Sequence, residues 1–440
     1  MKSILKNIVV SIMTLEARVA LMRHRPKVIA VTGNVGKTSA KDAIYAVMAH
    51  VYGEESVRKS EKSFNSEIGL PLAILGLENG WSSAALWLKN IKDGLLVALF
   101  GSRRGFPEWL VLEVGADHPG DIERAAKWLH SDIVVLTRMS DVPVHVEFFK
   151  DADELLREKM FLAHALKPAG TIVVNADDPR FMEAVKMIPA KTISYGTAKT
   201  ADVVMAESEI SYMSEPVSLP IGQYVVVRMG EEGKAVEKKI ELRFAVGDHI
   251  MYAFAAATAV AKALGIENAI PDAFKDFKSP NGRMRMLKGI NGCAVIDDSY
   301  NSSPLACAEA LKTLAKMTVR GKKIAVLGDM KELGANAERA HRDVGFLAAE
   351  TLHTLVTVGE SSRSIASAAR DAGLAADRIL SFDDSVAAAP AVADIARAGD
   401  VILVKGSQSM RMERVSKALL AHPERAPELL VRQEKEWVDR

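Results

Sequence analysis

The residues with the clearest chemical potential lie in segment 28–38, which reads V-I-A-V-T-G-N-V-G-K-T. Small and β-branched apolar residues lead into a turn that contains Gly33 and Gly36 and ends at Lys37 and Thr38. This order is typical of a buried strand followed by a loop whose N–H groups bind phosphate at the start of a helix. Lys37 suits the outer phosphates, and the Thr38 hydroxyl suits a magnesium ion. A valine replaces the first glycine of the usual pattern, and we still predict nucleotide binding.

A carboxylate at the end of a second apolar segment could complete such a site. Residues 109–113, W-L-V-L-E, predict a buried strand that ends in Glu113. An acid at a strand tip can reach a metal ion that is bound to nucleotide phosphates. The alternative is that Glu113 is a surface acid, but its place directly after the apolar run favours the metal-binding interpretation.

The elements that must position these residues alternate along the chain. Residues 132–137 and 171–175 predict further buried strands, with a helix over 151–166 between them. Residues 190–246 contain short alternating runs separated by Gly, Pro and Ser-rich turns, which predicts a small antiparallel part. An alanine-rich helix is predicted over 250–264.

The sequence K-S-P-N-G-R at 278–283 is typical of a linker between domains. Beyond it, strands and helices alternate as in a second doubly wound unit. The fold class is therefore α/β: a central P-loop ATPase domain with a parallel sheet plus a small antiparallel part, followed by a Rossmann-like C-terminal α/β domain. The predicted domains are residues 1–27 (an N-terminal amphipathic helix), 28–278 and 279–440.

Two amphipathic helices are predicted outside this alternation, at 1–22 and 84–100. Their apolar stripes are Ile4, Ile8, Ile12, Leu15, Val19 and Met22 in the first, and Ala84, Leu88, Ile91, Leu95 and Leu99 in the second. We expect these stripes to pack on the body of the protein. The alternative is an interfacial helix that gives residues 1–22 a weak association with a membrane surface.

Composition limits the function classes. The chain has 440 residues with a net charge of +1, so no global charge indicates a nucleic-acid partner. Its two cysteines, Cys293 and Cys307, form neither a disulfide framework nor a metal set, which fits a reducing cytoplasm. No apolar run reaches the length of about 20 residues that spans a bilayer. We expect a cytoplasmic, monomeric protein.

Several motifs together resemble the Mur ligases, ATP-dependent enzymes that join an amino acid or peptide to a carboxylate. They are T-G-N-V-G-K-T-S, F-N-S-E-I-G-L-P-L, L-E-V-G-A-D-H-P-G-D-I, N-A-D-D-P, P-N-G-R, I-D-D-S-Y-N-S-S-P, L-G-D-M-K-E-L-G and V-K-G-S. Their span, roughly residues 28 to 420, is far longer than any single motif. Within the family, the sixth and seventh motifs favour the branch that adds D-alanyl-D-alanine.

The resemblance implies ATP and Mg²⁺ as cofactors and an acyl-phosphate intermediate. It implies catalytic roles for Lys37, His145, Lys159 and Arg283, and metal ligands at Thr38, Glu113, His145 and Lys159. Nucleotide contacts are implied for Thr32, Gly33, Asn34, Val35, Gly36, Lys37, Thr38, Ser39, Asn175, His249, Arg283 and Asp298. Substrate contacts are implied for Asn65, Tyr300, Asn301, Lys405 and Ser407.

Two of these residues have specific roles in the family. Lys159 follows His145 by 14 residues, as in Mur ligases, where the lysine is typically carbamylated and binds metal. The alternative is an ordinary solvated lysine. Arg283 resembles the arginine that reaches the phosphates when the domains close.

The chain departs from the family pattern in three places. The family usually has an asparagine a few residues before this histidine, but the residues just before His145, M-S-D-V-P-V, contain none. Tyr252 and Ala253 stand where an adenine-binding asparagine is expected. Only 27 residues precede Val28, where a ligase of this type has a domain that binds the UDP-sugar. We therefore expect the UDP group to contribute little to acceptor binding.

The first functional hypothesis is an ATP-dependent ligase of peptidoglycan synthesis that adds D-alanyl-D-alanine to a UDP-N-acetylmuramoyl-tripeptide-type carboxylate. A related enzyme acting on a folyl, polyglutamyl or lipid-linked carboxylate is the second. The third is an ATP-binding scaffold without catalysis, which the joint presence of Lys37, Glu113, His145, Lys159 and Arg283 disfavours.

Overall fold

The structure is a computed structural model, and it describes most of the chain. The described residues are 2–61, 67–80, 83–101, 105–116, 118–139, 149–213, 219–230, 235–275, 277–434 and 437. Within these ranges, the side chains of residues 2–5 and 249 are not described.

The first sheet has nine strands in the order β2-β3-β1-β4-β5-β6-β7-β8-β9. Its strands are β1 (Lys27–Thr32), β2 (Val57–Lys59), β3 (Trp109–Glu113), β4 (Ile133–Leu136), β5 (Thr171–Asn175), β6 (Lys191–Gly196), β7 (Val203–Met213), β8 (Leu219–Met229) and β9 (Val236–Arg243). The pairings from β2 to β7 are parallel, and β7, β8 and β9 pair antiparallel. Both the parallel sheet and its small antiparallel part are confirmed.

The second sheet has six strands in the order β10-β11-β15-β12-β13-β14. They are β10 (Arg285–Lys288), β11 (Ala294–Asp298), β12 (Lys323–Gly328), β13 (Thr354–Val358), β14 (Ile379–Phe382) and β15 (Val401–Lys405). Only the β10–β11 pairing is antiparallel. The predicted Rossmann-like α/β unit is confirmed, with an antiparallel edge strand added.

Helices cover both sheets. They are α1 (Lys2–His24), α2 (Lys37–Tyr52), α3 (Gly69–Leu75), α4 (Ala84–Phe100), α5 (Asp121–Ala126), α6 (Ala152–His164), α7 (Pro179–Val185), α8 (Asp248–Leu264), α9 (Ile270–Ala273), α10 (Pro304–Lys316), α11 (Ala337–Thr351), α12 (Arg363–Asp371), α13 (Ser385–Ile395), α14 (Glu413–Leu419) and α15 (Ala426–Leu429). The helices predicted over 151–166 and 250–264 correspond to α6 and α8.

The parallel strands are buried on both faces, which explains their continuous apolar runs. In β1, Ile29 and Val31 face the core that includes α2, whereas Val28 and Ala30 face the core that includes α1 and α3. Val31 pairs in register with Glu113 of β3, so the acid lies at the same sheet edge as the loop after β1. The sheet therefore brings the two predicted site elements together.

The expected packing faces of α1 and α4 are only partly correct, because Val19 and Ile91 pack against the core but several other residues of the predicted stripes do not. In α1, Met13, Ala17 and Ala20 are buried, whereas Ile8, Leu15 and Met22 of the predicted stripe are exposed. In α4 the buried residues are Asn90, Gly94 and Ala98, while Leu88, Leu95 and Leu99 are exposed. The reason is close helix packing: a carboxylate oxygen of Glu16 in α1 lies 2.2 Å from where a Cβ on Gly94 would be. Small residues at this contact let the helices approach, and the leucines remain outside.

Candidate functional site

The loop after β1 has the conformation of a phosphate-binding loop. Gly33 has a φ of +139°, and a Cβ there would lie 2.1 Å from the Thr137 hydroxyl oxygen. Gly36 has a φ of +85° and precedes the first turn of α2 in the left-handed conformation. The Asn34 N–H donates to the Arg138 carbonyl oxygen at 2.8 Å, which ties the loop to the end of β4. Glycine is therefore required at two positions, and the loop leads directly into the N-terminus of α2, where backbone N–H groups can bind an anion.

Thr38 and Glu113 form one polar pair at this loop. The Thr38 hydroxyl donates to a Glu113 carboxylate oxygen at 2.8 Å, and the Glu113 side chain is buried. The Ser60 hydroxyl accepts a hydrogen bond from the Glu113 N–H at 2.9 Å, which fixes the end of β3. The structure therefore brings together the two side chains that the sequence assigns to a metal ion, and the metal-binding role stays a prediction.

Lys159 lies on α6 and is only 2% exposed. It lines the same cavity as Thr38 and Glu113, so the interpretation as a solvated surface lysine is wrong. Its neighbour Glu158 is also buried and accepts hydrogen bonds from the Ile122 and Glu123 N–H groups at the start of α5. This contact fixes the rotation of α6 and so directs Lys159 toward the cavity.

The cavity has a volume of about 730 Å³ and lies between the two sheets. From the first sheet side it is lined by the loop from Gly33 to Ser39 together with Glu113, His118 and Lys159. From the second it is lined by Arg283, Asp298, Tyr300, Asn301, Ser302, Lys331, Lys405 and Ser407. Most of the site residues expected from the sequence therefore meet in one place.

Asp298 and Lys405 form a buried ion pair at adjacent strand ends. They are in register between β11 and β15, and the Lys405 ammonium lies 2.6 Å from an Asp298 carboxylate oxygen. Lys405 also donates to the Asn301 carbonyl oxygen, and the other Asp298 oxygen accepts from the Met284 N–H. This pair holds the loops at the cavity edge, in addition to any contact with a ligand.

Arg283 stacks on Tyr300 at the entrance. Its guanidinium carbon lies 4.2 Å from the ring centroid, and its buried Nε has no hydrogen-bond partner among the described residues. Gly282, with a φ of +71°, allows the close approach to Tyr300, because a Cβ there would lie 2.9 Å from the Tyr300 backbone nitrogen. Arg283 is thus oriented with donor capacity left for an anion.

The loop after β12 also faces the cavity. The Lys331 N–H donates to the Ser407 hydroxyl at 2.9 Å, and the Lys331 ammonium lies 2.8 Å from a carboxylate oxygen of buried Asp329. This connects the L-G-D-M-K-E-L-G and V-K-G-S motifs. The two motifs are far apart in the sequence and are in direct contact in the structure.

A narrow recess of about 30 Å³ lies beside the loop. It is lined by Asn175, Tyr195 and Tyr252 as well as by loop residues. The Tyr252 hydroxyl donates to Asp177 at 2.8 Å, and burial together with this bond raises the pKa of Tyr252. The tyrosine that replaces the expected asparagine is therefore a hydrogen-bonded, protonated wall of the recess.

Three expected site residues cannot be placed. Asn65 and His145 lie outside the described residues, and only the backbone of His249 is described, in the first turn of α8. Sequence reasoning missed His118 and Lys331, which line the cavity. Both stand inside motifs already noted, so their position in a polar loop after a buried strand was the available signal.

The residues present fit a magnesium ion that is held partly by a nucleotide. Among the described residues, no three His, Cys, Asp or Glu side chains form a metal cluster. Mg²⁺ usually takes one or two protein oxygen ligands plus phosphates and water, and the hydroxyl of Thr38 and carboxylate of Glu113 supply such a pair. The Asn34 side-chain oxygen is buried at the cavity without a described partner, as expected in a site shaped for a ligand. The Thr32 hydroxyl also has no described partner, but Thr32 is fully buried and does not line the cavity.

Comparisons with family models and with known proteins agree with the resemblance that the sequence motifs indicate. Residues 94–261 match the model "Mur ligase middle domain", and residues 282–408 match "Mur ligase, glutamate ligase domain". The chain is 27% identical over 411 residues to the UDP-N-acetylmuramoyl-tripeptide–D-alanyl-D-alanine ligase of Bacillus subtilis (strain 168), covering 92% of this chain and 79% of the relative.

Solved structures share the fold. A MurF ligase from Thermotoga maritima in complex with ADP superposes with a TM-score of 0.73 at 24% identity, covering 93% of this chain and 83% of that one. A Mycobacterium tuberculosis folylpolyglutamate synthase complexed with ADP gives a TM-score of 0.64 at 17% identity, covering 93% and 94%.

Proposed function

The chain belongs to the Mur ligase family of ATP-dependent ligases, and from this premise we propose that it adds D-alanyl-D-alanine to a muramoyl-tripeptide-type carboxylate. One observation carries the proposal. The phosphate loop, the Thr38–Glu113 pair, Lys159 and Arg283 all line one cavity that has walls from both sheets. A cavity of this kind brings a nucleotide and two further substrates together, as an ATP-dependent ligase requires.

The reaction has two steps. A carboxylate oxygen of the acceptor attacks the γ-phosphorus of ATP, forming an acyl phosphate as the bond to ADP breaks. The dipeptide amine then attacks the acyl carbon, inorganic phosphate leaves, and the nitrogen loses a proton to give the amide. Both steps bring negative charges together, so cationic groups at the cavity lower their barriers. Lys37 and Arg283 are the residues we assign to the phosphates.

Thr38 and Glu113 would hold a magnesium ion, with Lys159 as a further ligand after carbamylation. The ion supplies positive charge that neutralises the phosphate oxygens. A protonated Lys159 next to such an ion would add like charge, whereas the carbamate is an anion that binds metal. The position of Lys159, which is buried at the wall of the cavity that Thr38 and Glu113 also line, supports this assignment.

We assign the dipeptide to the second-sheet side of the cavity. Asn301, Lys331 and Ser407 present an amide, an ammonium and a hydroxyl there, which suit a carboxylate and a peptide carbonyl. We assign Asn175, beside the phosphate loop, to the nucleotide base, and the recess of about 30 Å³ there would have to widen for a purine to enter. The proposed reaction belongs to peptidoglycan synthesis and takes place in the cytoplasm.

The test measures phosphate release and product mass with ATP, D-alanyl-D-alanine and a panel of carboxylate acceptors. The panel contains UDP-N-acetylmuramoyl-tripeptide, the same tripeptide without UDP, a folate polyglutamate and a lipid-linked precursor. We expect an amide product with the muramoyl acceptors. A product with the folate acceptor alone would favour the second candidate, which the fold similarity to a folylpolyglutamate synthase supports.

A non-catalytic scaffold would bind nucleotide and form no product with any acceptor. Nucleotide binding measured in parallel separates this result from a misfolded preparation. A preference of less than about a hundredfold in kcat/KM for the UDP form, or roughly 3 kcal/mol, would support the expectation that UDP contributes little.

A further inference from the structure

The helices α1 and α4 carry most of the exposed large apolar side chains of the described chain. Of 17 such side chains, nine lie on these two helices. They are Ile8, Leu15 and Met22 of α1 and Leu86, Leu88, Leu95, Leu96, Leu99 and Phe100 of α4. Leu88 and Phe100 are 70% and 73% exposed, so their side chains are almost fully in water. Concentrated apolar exposure of this kind indicates a contact surface.

The two helices present these side chains as one surface. They pack against each other through Glu16 and Gly94, and the His24 Nε2 lies 3.1 Å from the Val97 carbonyl oxygen. Both contribute buried residues, Met13 and Ala98 among them, to the core on one side of the nine-stranded sheet. Their exposed sides therefore point away from the same sheet face. We call this surface, with its nine apolar residues, the outer face.

The buried side of α4 explains why the leucines are outside. The Asn90 side-chain amide donates to the Glu78 carbonyl oxygen at 2.7 Å, which anchors the helix through a polar residue. Rotating α4 to bury Leu88 and Leu95 would break this bond and expose Gly94 and Ala98. The exposure of the leucines is therefore a consequence of specific anchoring contacts.

The exposed charged residues of α1 and α4 are all positively charged. They are Lys6, Arg18, Arg23, Lys89 and Lys92, and no exposed residue of either described helix is acidic. The acidic residues of the two helices are less accessible, since Glu16 is buried and Asp93 is partly buried. An apolar stripe flanked by lysine and arginine is the pattern of a helix that lies in the interface of an anionic bilayer.

We propose that the outer face docks on an anionic lipid surface, with α1 and α4 lying along the interface. No described helix has the length and apolarity needed to cross a membrane. Self-association is disfavoured, because a two-fold contact would oppose Lys89 and Lys92 to the same cations of the second copy. A lipid headgroup layer instead offers negative charge for the cations and acyl chains for the leucines.

The experiment is sedimentation of the full chain with vesicles of phosphatidylglycerol and phosphatidylcholine, compared with phosphatidylcholine alone. We expect binding to the anionic vesicles that decreases with added salt. Leu88→Gln/Leu99→Gln should lower the partition coefficient by about tenfold or more, because buried apolar area is lost. Lys89→Gln/Lys92→Gln should lower it by about tenfold and reduce the salt dependence. Met187→Gln, at a side chain that is 83% exposed elsewhere, is the matched control and should bind as the unmodified chain does.

Phosphate release with a water-soluble acceptor should be unchanged in all these variants, since none of their residues lines the cavity. If a variant does not fold, hydrogen exchange of the unmodified chain provides the second measurement, and vesicles should slow exchange in residues 84–101. Absence of binding to anionic vesicles would overturn the proposal. So would equal binding by Leu88→Gln/Leu99→Gln, or a dimer of the unmodified chain that this variant dissociates. Failure of the ligase assay would leave this result unaffected.

Discussion

The helices α2 and α4 have nearly equal length and lie on opposite faces of the same sheet, yet they bury opposite kinds of surface. α2 buries Ile44, Val47 and Met48, as its periodicity predicts. α4 buries Asn90, Gly94 and Ala98 and exposes its leucines. An apolar stripe therefore predicts that a helix forms, but the partner decides which side is buried.

The difference follows from what each helix packs against. α2 lies on β-strand side chains and on the alanine-rich helix α8, and its large apolar side chains join the core on that face of the sheet. α4 lies against α1, where the Glu16 side chain occupies the space that a side chain on Gly94 would need. The packing of α2 directs its N-terminus, with the phosphate loop, into the cavity. The packing of α4 leaves a cationic and apolar surface exposed to solvent.

The largest expected effect is at the start of α2. Lys37→Ala should lower kcat/KM for ligation by at least about a thousandfold, or ~4 kcal/mol, because a charge contact to the phosphates is lost in the transition state. The melting temperature should change little. Lys186→Ala, at an exposed ion pair, is the control. Full activity in Lys37→Ala would rule out the ATP-ligase mechanism.

The second effect concerns the buried lysine of α6. Lys159→Ala should reduce activity by about a hundredfold, because the proposed anionic metal ligand would be removed. Added short-chain carboxylic acids should restore part of the activity by occupying the vacated position. The same acids should have no effect on Lys37→Ala. A high-resolution structure with magnesium and nucleotide that showed an unmodified ammonium would contradict the carbamate.

The third prediction compares the two helices directly. Ile44→Ala in α2 should lower the free energy of unfolding by about 2 to 5 kcal/mol, since a buried side chain leaves a cavity. Leu88→Ala in α4 should change it by less than about 0.5 kcal/mol, since that side chain is in water. Urea unfolding of both variants gives the two values. A large loss for Leu88→Ala in the absence of lipid would show that the outer face is packed in solution.

The smallest effect is the pH dependence of the α1–α4 contact. Burial raises the pKa of Glu16 from its usual 4.5 to about 7. The folded state therefore holds this proton more tightly than the unfolded state, so its contribution to stability is complete below pH 4.5 and lost as pH rises through 7.

Glu16→Gln should remove this dependence. Between pH 5 and pH 8, the unmodified chain should lose about 1 to 3 kcal/mol more of its unfolding free energy than the variant. Glu183→Gln, at an exposed carboxylate, should follow the unmodified chain. Parallel curves for Glu16→Gln and the unmodified chain would mean that Glu16 is already ionised in the folded state.

Much of the candidate site could be predicted from sequence because its chemistry depends on local order. Gly33, Gly36, Lys37 and Thr38 define the phosphate loop by their spacing alone, and the structure gives this loop the backbone conformation that the glycines permit. The resemblance to a family supplied distant residues such as Arg283. The contact between Lys331 and Ser407 was not predictable by spacing, because the two loops are 76 residues apart.

The amino-acid sequence by itself determined the strands, the helices and the phosphate loop, because β-branched runs, helical periodicity and glycine positions act over a few residues. Only the tertiary structure decided that Lys159 is buried in the cavity and that Leu88 is not buried at all. Burial is a property of the surface that a side chain meets, and that surface comes from distant parts of the chain. For α4 it was the Glu16 side chain of α1 against Gly94 and the anchoring of Asn90 that turned the leucines outward.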